Sequence, residues 1–284
     1  MTSFGDETRQ RDQARLRAAL GVFAVVVLAV IAGLVWAGQQ TAPTTTPADA
    51  AAADAPPAAG DSGPSAGSAS APAADPAGDV AGQAELATRP MPSFPDQAAL
   101  PQTLAAGAGN PALAVPSGTR AGLRVPEGFP PTAAGAVGQL AALLEVGLRD
   151  VNPDSFDAAY RSVSLPGAPD PALTPLGGDV RSLYAQAVTA SSDPSPLASR
   201  WQPAGALVKG SADGGRFVVA CVVGELQVVK VNSISAGTGD CQALRWTGRD
   251  WRISPGPPAA RAPVVWPGSA AFVQAGYRPM VGGR

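Results

Sequence analysis

The charge-free run Ala18–Gly38, AALGVFAVVVLAVIAGLVWAG, constrains this chain more than any other feature, because everything after it must be placed relative to it. At ~1.5 Å per residue a helix of this length spans about 31 Å, the thickness of a bilayer's hydrocarbon core. Trp36 stands near its exit, where an indole favours the lipid–water boundary. Ahead of the run are Arg9, Arg11, Arg15 and Arg17. Behind it, Gln39 to Thr88 holds Asp49, Asp54, Asp61, Asp75, Asp79 and Glu85, with no Lys or Arg. The positive-inside rule therefore predicts a cytoplasmic N-terminus over 1–17, a single-pass transmembrane helix over 18–38 and everything later outside the cell membrane. The competing reading is a cleavable signal peptide with Val35-Trp36-Ala37 as a loose cleavage site, although its apolar region is usually only about 7–15 residues long.

The next block, 39–118, has almost no branched apolar residues and is dominated by Ala, Pro and Gly; it cannot bury enough apolar surface to offset its ordering entropy. A disordered, partly polyproline tether is expected. Within it Gly63-Pro64-Ser65-Ala66-Gly67 matches the G-x-S-x-G pattern of a hydrolase nucleophile elbow, but no strand precedes it and no helix follows, so the match is accidental. Its threonines and serines are solvated, or O-glycosylated on a cell surface. Around Met91, Phe94, Leu100 and Leu104 apolar anchors return. They are either more linker or a segment that docks onto the domain or a partner.

An extracytoplasmic domain is expected over 119–284. Thr132 can cap a helix that repeats Val137, Leu140, Ala141, Leu144 and Leu148 on one face. Asn152-Pro153 reads as a cap followed by proline at the first helical position, opening a short helix through Phe156 and Tyr160. A third helix over 178–189 should bury Val180, Leu183, Tyr184 and Ala187. Past Pro196 the period changes to that of strands. WQPAGALVKGSADGGRF supplies one strand and a turn at Asp213-Gly214-Gly215. RFVVACVVGELQVVKVNSIS supplies another, and CQALRWTGRDWRIS a hairpin turning at Thr247–Asp250. A last helix is expected from Pro267 through Phe272. Helices followed by an antiparallel sheet make an α+β domain.

Cys221 and Cys241 are the only cysteines. Outside the cell an even pair favours a disulfide, the other reading being two buried thiols. A disulfide requires 216–223 to pair directly with 239–246, leaving 224–238 as an excursion. A simple meander would hold the two cysteines too far apart.

The chain has no histidine, which removes Ser-His-Asp and Cys-His catalysis and the common His-containing zinc sites. A formal net charge of −2 argues against nucleic acid as a partner. No spacing marks a catalytic group, a metal site or a cofactor. A Ser–Lys pair from Lys209 or Lys230 with Ser211 or Ser233 has nothing in its spacing to support it. Asp213, Glu225, Asp240 and Asp250 read as solvated turn and strand-end acids. The aromatic residues carry more signal. Trp201, Trp246, Trp251, Trp266 and Tyr277 lie among Arg245, Arg249, Arg252, Arg261 and Arg278, the residue types that anchor protein interfaces. The alternative is a tryptophan-filled core with arginines at its rim. Trp246, Trp251, Arg249, Trp266 and Tyr277 are taken as the candidate interface.

VPEGFPPTAAGAVGQLAALLEVGL, VVACV and DCQALRWTGRDWRISPGPPAARAPVVWPGS together resemble membrane-anchored proteins of actinobacterial conjugative or integrative elements, counterparts of the bitopic assembly subunits of type IV secretion systems. The resemblance covers about 120 to 280 and implies a nuclear-transport-factor-like cone, helices against a curved sheet, on a single membrane anchor. It implies a non-enzymatic scaffold that meets the membrane, other envelope subunits and copies of itself. The other functional reading is a surface-tethered binding module for a small apolar ligand or a cell-wall component.

Overall fold

The computed structural model describes residues 79–106, 109–189, 197–229 and 233–282. The expected transmembrane run and the tether up to residue 78 lie outside these. Among the described residues no helix is long and apolar enough to cross a membrane.

The architecture is α+β: helices packed on an open six-stranded sheet. In chain order the elements are α1 (Val80–Thr88), β1 (Leu113–Val115), α2 (Ala133–Gly147), α3 (Pro153–Ser162), α4 (Pro175–Thr189), β2 (Ala198–Ala212), β3 (Phe217–Val229), β4 (Ser233–Trp246), β5 (Trp251–Ile253), α5 (Ala270–Gln274) and β6 (Arg278–Gly282). The strand order is β1-β6-β2-β3-β4-β5, with only the β1–β6 pair parallel.

The helical half forms for the expected reasons. Thr132 is extended and its hydroxyl accepts from Gly135 N–H at 3.1 Å, opening α2. Asn152 accepts from Asp154 N–H at 2.8 Å, and Pro153 occupies the first position of α3, where its missing N–H costs nothing. An Asp157–Arg181 pair at 2.8 Å ties α3 to α4. Leu140, Leu143, Leu144, Leu148, Phe156, Tyr160 and Trp251 are all buried between these helices and Val218, Ala220 and Val222 of β3. In α4, Val180 and Ala187 are buried as expected, but Tyr184 is exposed, so the inward face of this helix is narrower than its spacing implied.

The sheet corrects the expected excursion. β3 and β4 form one uninterrupted hairpin from Phe217↔Arg245 to Val229↔Ser233, and residues 224–229 and 233–238 stay in the ladder. The small residues of SISAGTG made this stretch read as loop. They are small because other chain crosses them: a Cβ on Gly237 would lie 2.1 Å from the Val265 carbonyl oxygen. The turn between β2 and β3 falls at Asp213–Gly215 as expected, with positive φ at all three residues. The last helix starts later than expected, at Ala270, because Ser269 caps it through Phe272 N–H.

The packed region also begins earlier than residue 119. Residues 79–106 form a strap across the outer face of the sheet, away from α2–α4. Ala87, Ala98 and Ala99 are buried, and Met91 and Phe94 pack against Cys221, Cys241, Val265, Phe272 and Tyr277. The chain then adds β1 to the sheet edge beside β6. Of the 39–118 tether, the part from 79 onward therefore belongs to the fold. Its alanines lack bulk but let the strap lie close, and main-chain hydrogen bonds hold it there: Ala260 N–H to Ala87 at 2.9 Å and Ala105 N–H to Gly268 at 2.8 Å.

Candidate functional site

Cys221 and Cys241 face each other directly in the β3–β4 ladder and form the disulfide, their Cα atoms 4.0 Å apart. Both are buried under the strap. The bond is a cross-link inside the sheet, sealed from solvent.

One residue earlier on β4, on the opposite face, lies the most unusual group in the fold. Asp240 is only 1% exposed. Its Oδ2 accepts from Gln242 Nε2 at 2.6 Å, and Gln242 Oε1 accepts from the Tyr160 hydroxyl of α3 at 3.3 Å. Burial pushes the Asp240 carboxyl up to about 7; the Asp179 charge adds to the rise, while Gln242, the Cys241 N–H and Arg261 oppose it. Burial likewise raises the Tyr160 hydroxyl above its ordinary range, helped by the charge of Asp240. On α4, Asp179 is held by Arg261 at 2.6 and 3.1 Å, yet burial keeps its carboxyl above the usual range.

Tyr160, itself fully buried, also borders a depression beside this network. With Arg161, Ser164, Leu165, Pro166 and Ala168 it lines this open space of about 330 Å³. The depression lies beside β5, because Leu165 N–H bonds the Ile253 carbonyl at 3.0 Å and fixes the loop there. Chemically the chain Asp240–Gln242–Tyr160 holds and positions protons. Among the described residues no three His, Cys, Asp or Glu side chains gather as a metal site would require.

No protein-family model, curated protein or solved structure matches this chain.

The expected interface residues separate. Trp251 and Tyr277 are fully buried and belong to the core. Trp251 Nε1 donates to the Pro130 carbonyl at 2.8 Å, and the Tyr277 hydroxyl donates to the Pro263 carbonyl at 2.9 Å. Trp246 and Trp266 are half-buried, Trp246 packing on Trp251 with ring centres 5.6 Å apart. Arg249 alone of the set is open to solvent, its side chain 78% exposed.

Two of the four acids read as solvated are not. Asp240 is enclosed as described. Asp250 is buried at the β4–β5 turn, where it pairs with Arg120 and accepts from Gly128 N–H at 3.2 Å. Asp213 pairs with Arg245 at 3.1 Å. Arginines rather than turn geometry decided Asp213 and Asp250, and the partner of Asp250 is 130 residues away in sequence. The Asp240 network had a weak sequence signal: polar residues at Asp240 and Gln242 alternate with Cys241 and Ala243, putting both on one face of the strand.

Proposed function

We propose that this chain is a membrane-anchored, non-enzymatic assembly subunit of a conjugation or type IV secretion-like envelope complex. In this reading the run 18–38 anchors it, residues 1–17 stay in the cytoplasm and 39–78 are the tether to an extracytoplasmic domain of the nuclear-transport-factor-like cone. One observation supports the reading. The space between α2–α4 and the sheet, where a cone fold would hold a ligand, is occupied by Leu140, Leu144, Phe156 and Trp251, each buried. What such a domain offers its surroundings is surface. Mild-detergent extraction of the full chain followed by affinity isolation and mass spectrometry tests this: channel or ATPase components of a transfer machine should co-isolate, and their absence overturns the proposal.

The depression floored by Tyr160 favours a second reading, a tethered module for a small apolar ligand or cell-wall fragment. Titrating muropeptides and small apolar acids while following backbone amide resonances of 160–169 tests it. Shifts confined elsewhere, or none, remove it.

A further inference from the structure

One end of the sheet carries a charge pattern that none of the preceding chemistry uses. Residues 120–127 form a miniature hairpin in which Arg120 and Glu127 exchange both backbone hydrogen bonds, at 3.0 and 2.9 Å. The Arg120–Asp250 pair and an Arg252–Glu127 pair at 2.9 Å pin it to the β4–β5 turn. Its tip is thus held out firmly, and the tip carries Leu123, 86% exposed, next to exposed Arg124. Arg249 projects from the β4–β5 turn beside it. The β2–β3 turn joins the same end, because Trp246 N–H donates to the Arg216 carbonyl at 2.7 Å, and Arg216 is exposed too.

The carboxylates at this end are already engaged. Glu127 binds Arg252, Asp213 binds Arg245, and Asp250 binds Arg120. Arg249 comes no nearer to Asp250 than 3.7 Å. Among the described residues Arg124 and Arg216 make no ion pair and Arg249 only the long one to Asp250, in a chain whose formal net charge is −2. Exposed cations around a protruding leucine suit one surface in particular: an anionic bilayer, where guanidinium groups meet phosphates and the alkyl group enters the headgroup boundary.

The path of the chain points the same way. Gln83, in the first turns of α1, accepts from Arg245, the partner of Asp213 in the β2–β3 turn. The described chain therefore enters the fold at this end, and the apolar run lies ahead of it in sequence. We propose that this end docks on the anionic phospholipid headgroups of the membrane that holds 18–38, with Leu123 in the interface and Arg124, Arg216 and Arg249 on lipid phosphates. The proposal rests on the anchored reading given above.

The test uses the full chain reconstituted into vesicles of phosphatidylcholine with or without phosphatidylglycerol, the acyl chains brominated. A Leu123→Trp variant made in a Trp36→Phe background, because Trp36 lies in the expected span, should be quenched beyond that background in the phosphatidylglycerol vesicles and not in phosphatidylcholine alone. Reversing Arg124 and Arg249 to Glu should weaken docking at least about 25-fold, since each basic group at an anionic surface contributes about fivefold. Hydrogen exchange of the 120–127 amides in the unsubstituted chain should slow in the same vesicles, a reading that needs no variant. Equal quenching in both lipids, quenching that survives the charge reversal, or unchanged exchange each overturns the proposal. A carbonate wash separates the two readings. A chain stripped from the vesicles has no anchor. A chain that stays while Leu123 goes unquenched is anchored without docking.

Discussion

The two faces of the sheet are covered in different ways. The inner face is buried by side-chain volume: α2, α3 and α4 bring Leu, Phe, Tyr and Trp onto Val218, Ala220 and Val222. The outer face is covered partly by Val265, Phe272 and Tyr277 and partly by chain that comes close because its residues are small. There the strap, the 254–269 loop and α5 lay Ala98, Ala259 and Ala262 over the disulfide, and backbone groups and Lys209 close the remaining gaps. The inner cover draws its stability from apolar area. The outer one relies more on main-chain hydrogen bonds, which tolerate irregular backbone.

That contrast can be broken by substitution, beginning where the largest effect is expected. Trp251→Ala empties the inner face at a fully buried site and removes one of the two hydrogen bonds to the Pro130 carbonyl, the Thr132 N–H remaining; it should cost about 3–5 kcal/mol in urea unfolding. Replacing both cysteines by alanine removes the outer cross-link and should cost about 2–4 kcal/mol, the range expected for closing a loop with a separation of 20 residues. Its cost should show in stability while the near-ultraviolet dichroism of Trp251 stays native.

The third prediction concerns pH. In the unfolded chain Asp240 releases its proton near the ordinary value of 3.8, whereas the fold holds it to about 7. The folded state thus binds more protons between these values, so stability falls as pH rises across this window and levels off above it. Asp240→Asn should flatten that fall and stabilise the domain at pH ~8 on the order of 2 kcal/mol. At pH ~4, where the parent carboxyl is neutral in the fold, only the donor clash described next remains, and the variant should be the less stable by about 2 kcal/mol. The gain is held below the full shift because one face of the asparagine amide meets the Cys241 N–H, donor against donor. Thermal melts across this range measure it; a variant less stable than the parent at the upper end would mean that Asp240 is ionised and paired. Burial moves Asp179 the same way, so some slope should persist.

The smallest effect should come from Phe94→Ala, which trims a half-buried outer anchor and should cost about 1 kcal/mol. If it costs as much as Trp251→Ala, the outer cover is a second core, and the contrast between the faces fails.

The same contrast explains what could be read from the amino acids. α2 and α3 were visible because their caps, Thr132 and Asn152, and their periodic apolar residues are local signals. The Cys221–Cys241 pairing followed from chemistry once both cysteines were placed on adjacent strands. The strap showed only at Met91 and Phe94, anchors that read equally as linker or as a docking segment. Its alanines contact the sheet through backbone, and backbone hydrogen bonding carries no side-chain pattern. Continuity of β4 through Ser235–Gly239 was hidden for a related reason, since its small residues answer to the loop crossing above them. The candidate site was legible only in part. Asp250 is buried by arginines far away in sequence, and Asp240 by helices whose angle to the sheet no spacing reveals. Trp251 and Tyr277 showed as important residues, but their importance lies in packing.

The strap also sets the order in which the molecule would yield to a pull. Force arriving through the chain ahead of residue 79 meets α1 first, and then single bonds in succession: Gln83 with Arg245, Lys209 with Ala87, Ala98 with Trp266, Ala105 with Gly268. Bonds loaded one at a time unzip at low force, and residues 79–106 drawn out straight would add up to roughly 90 Å of reach. The sheet beneath, riveted at Cys221–Cys241, would feel no load until that slack was spent. The outer cover would behave as a shock absorber between whatever holds the N-terminal side and whatever grips the domain.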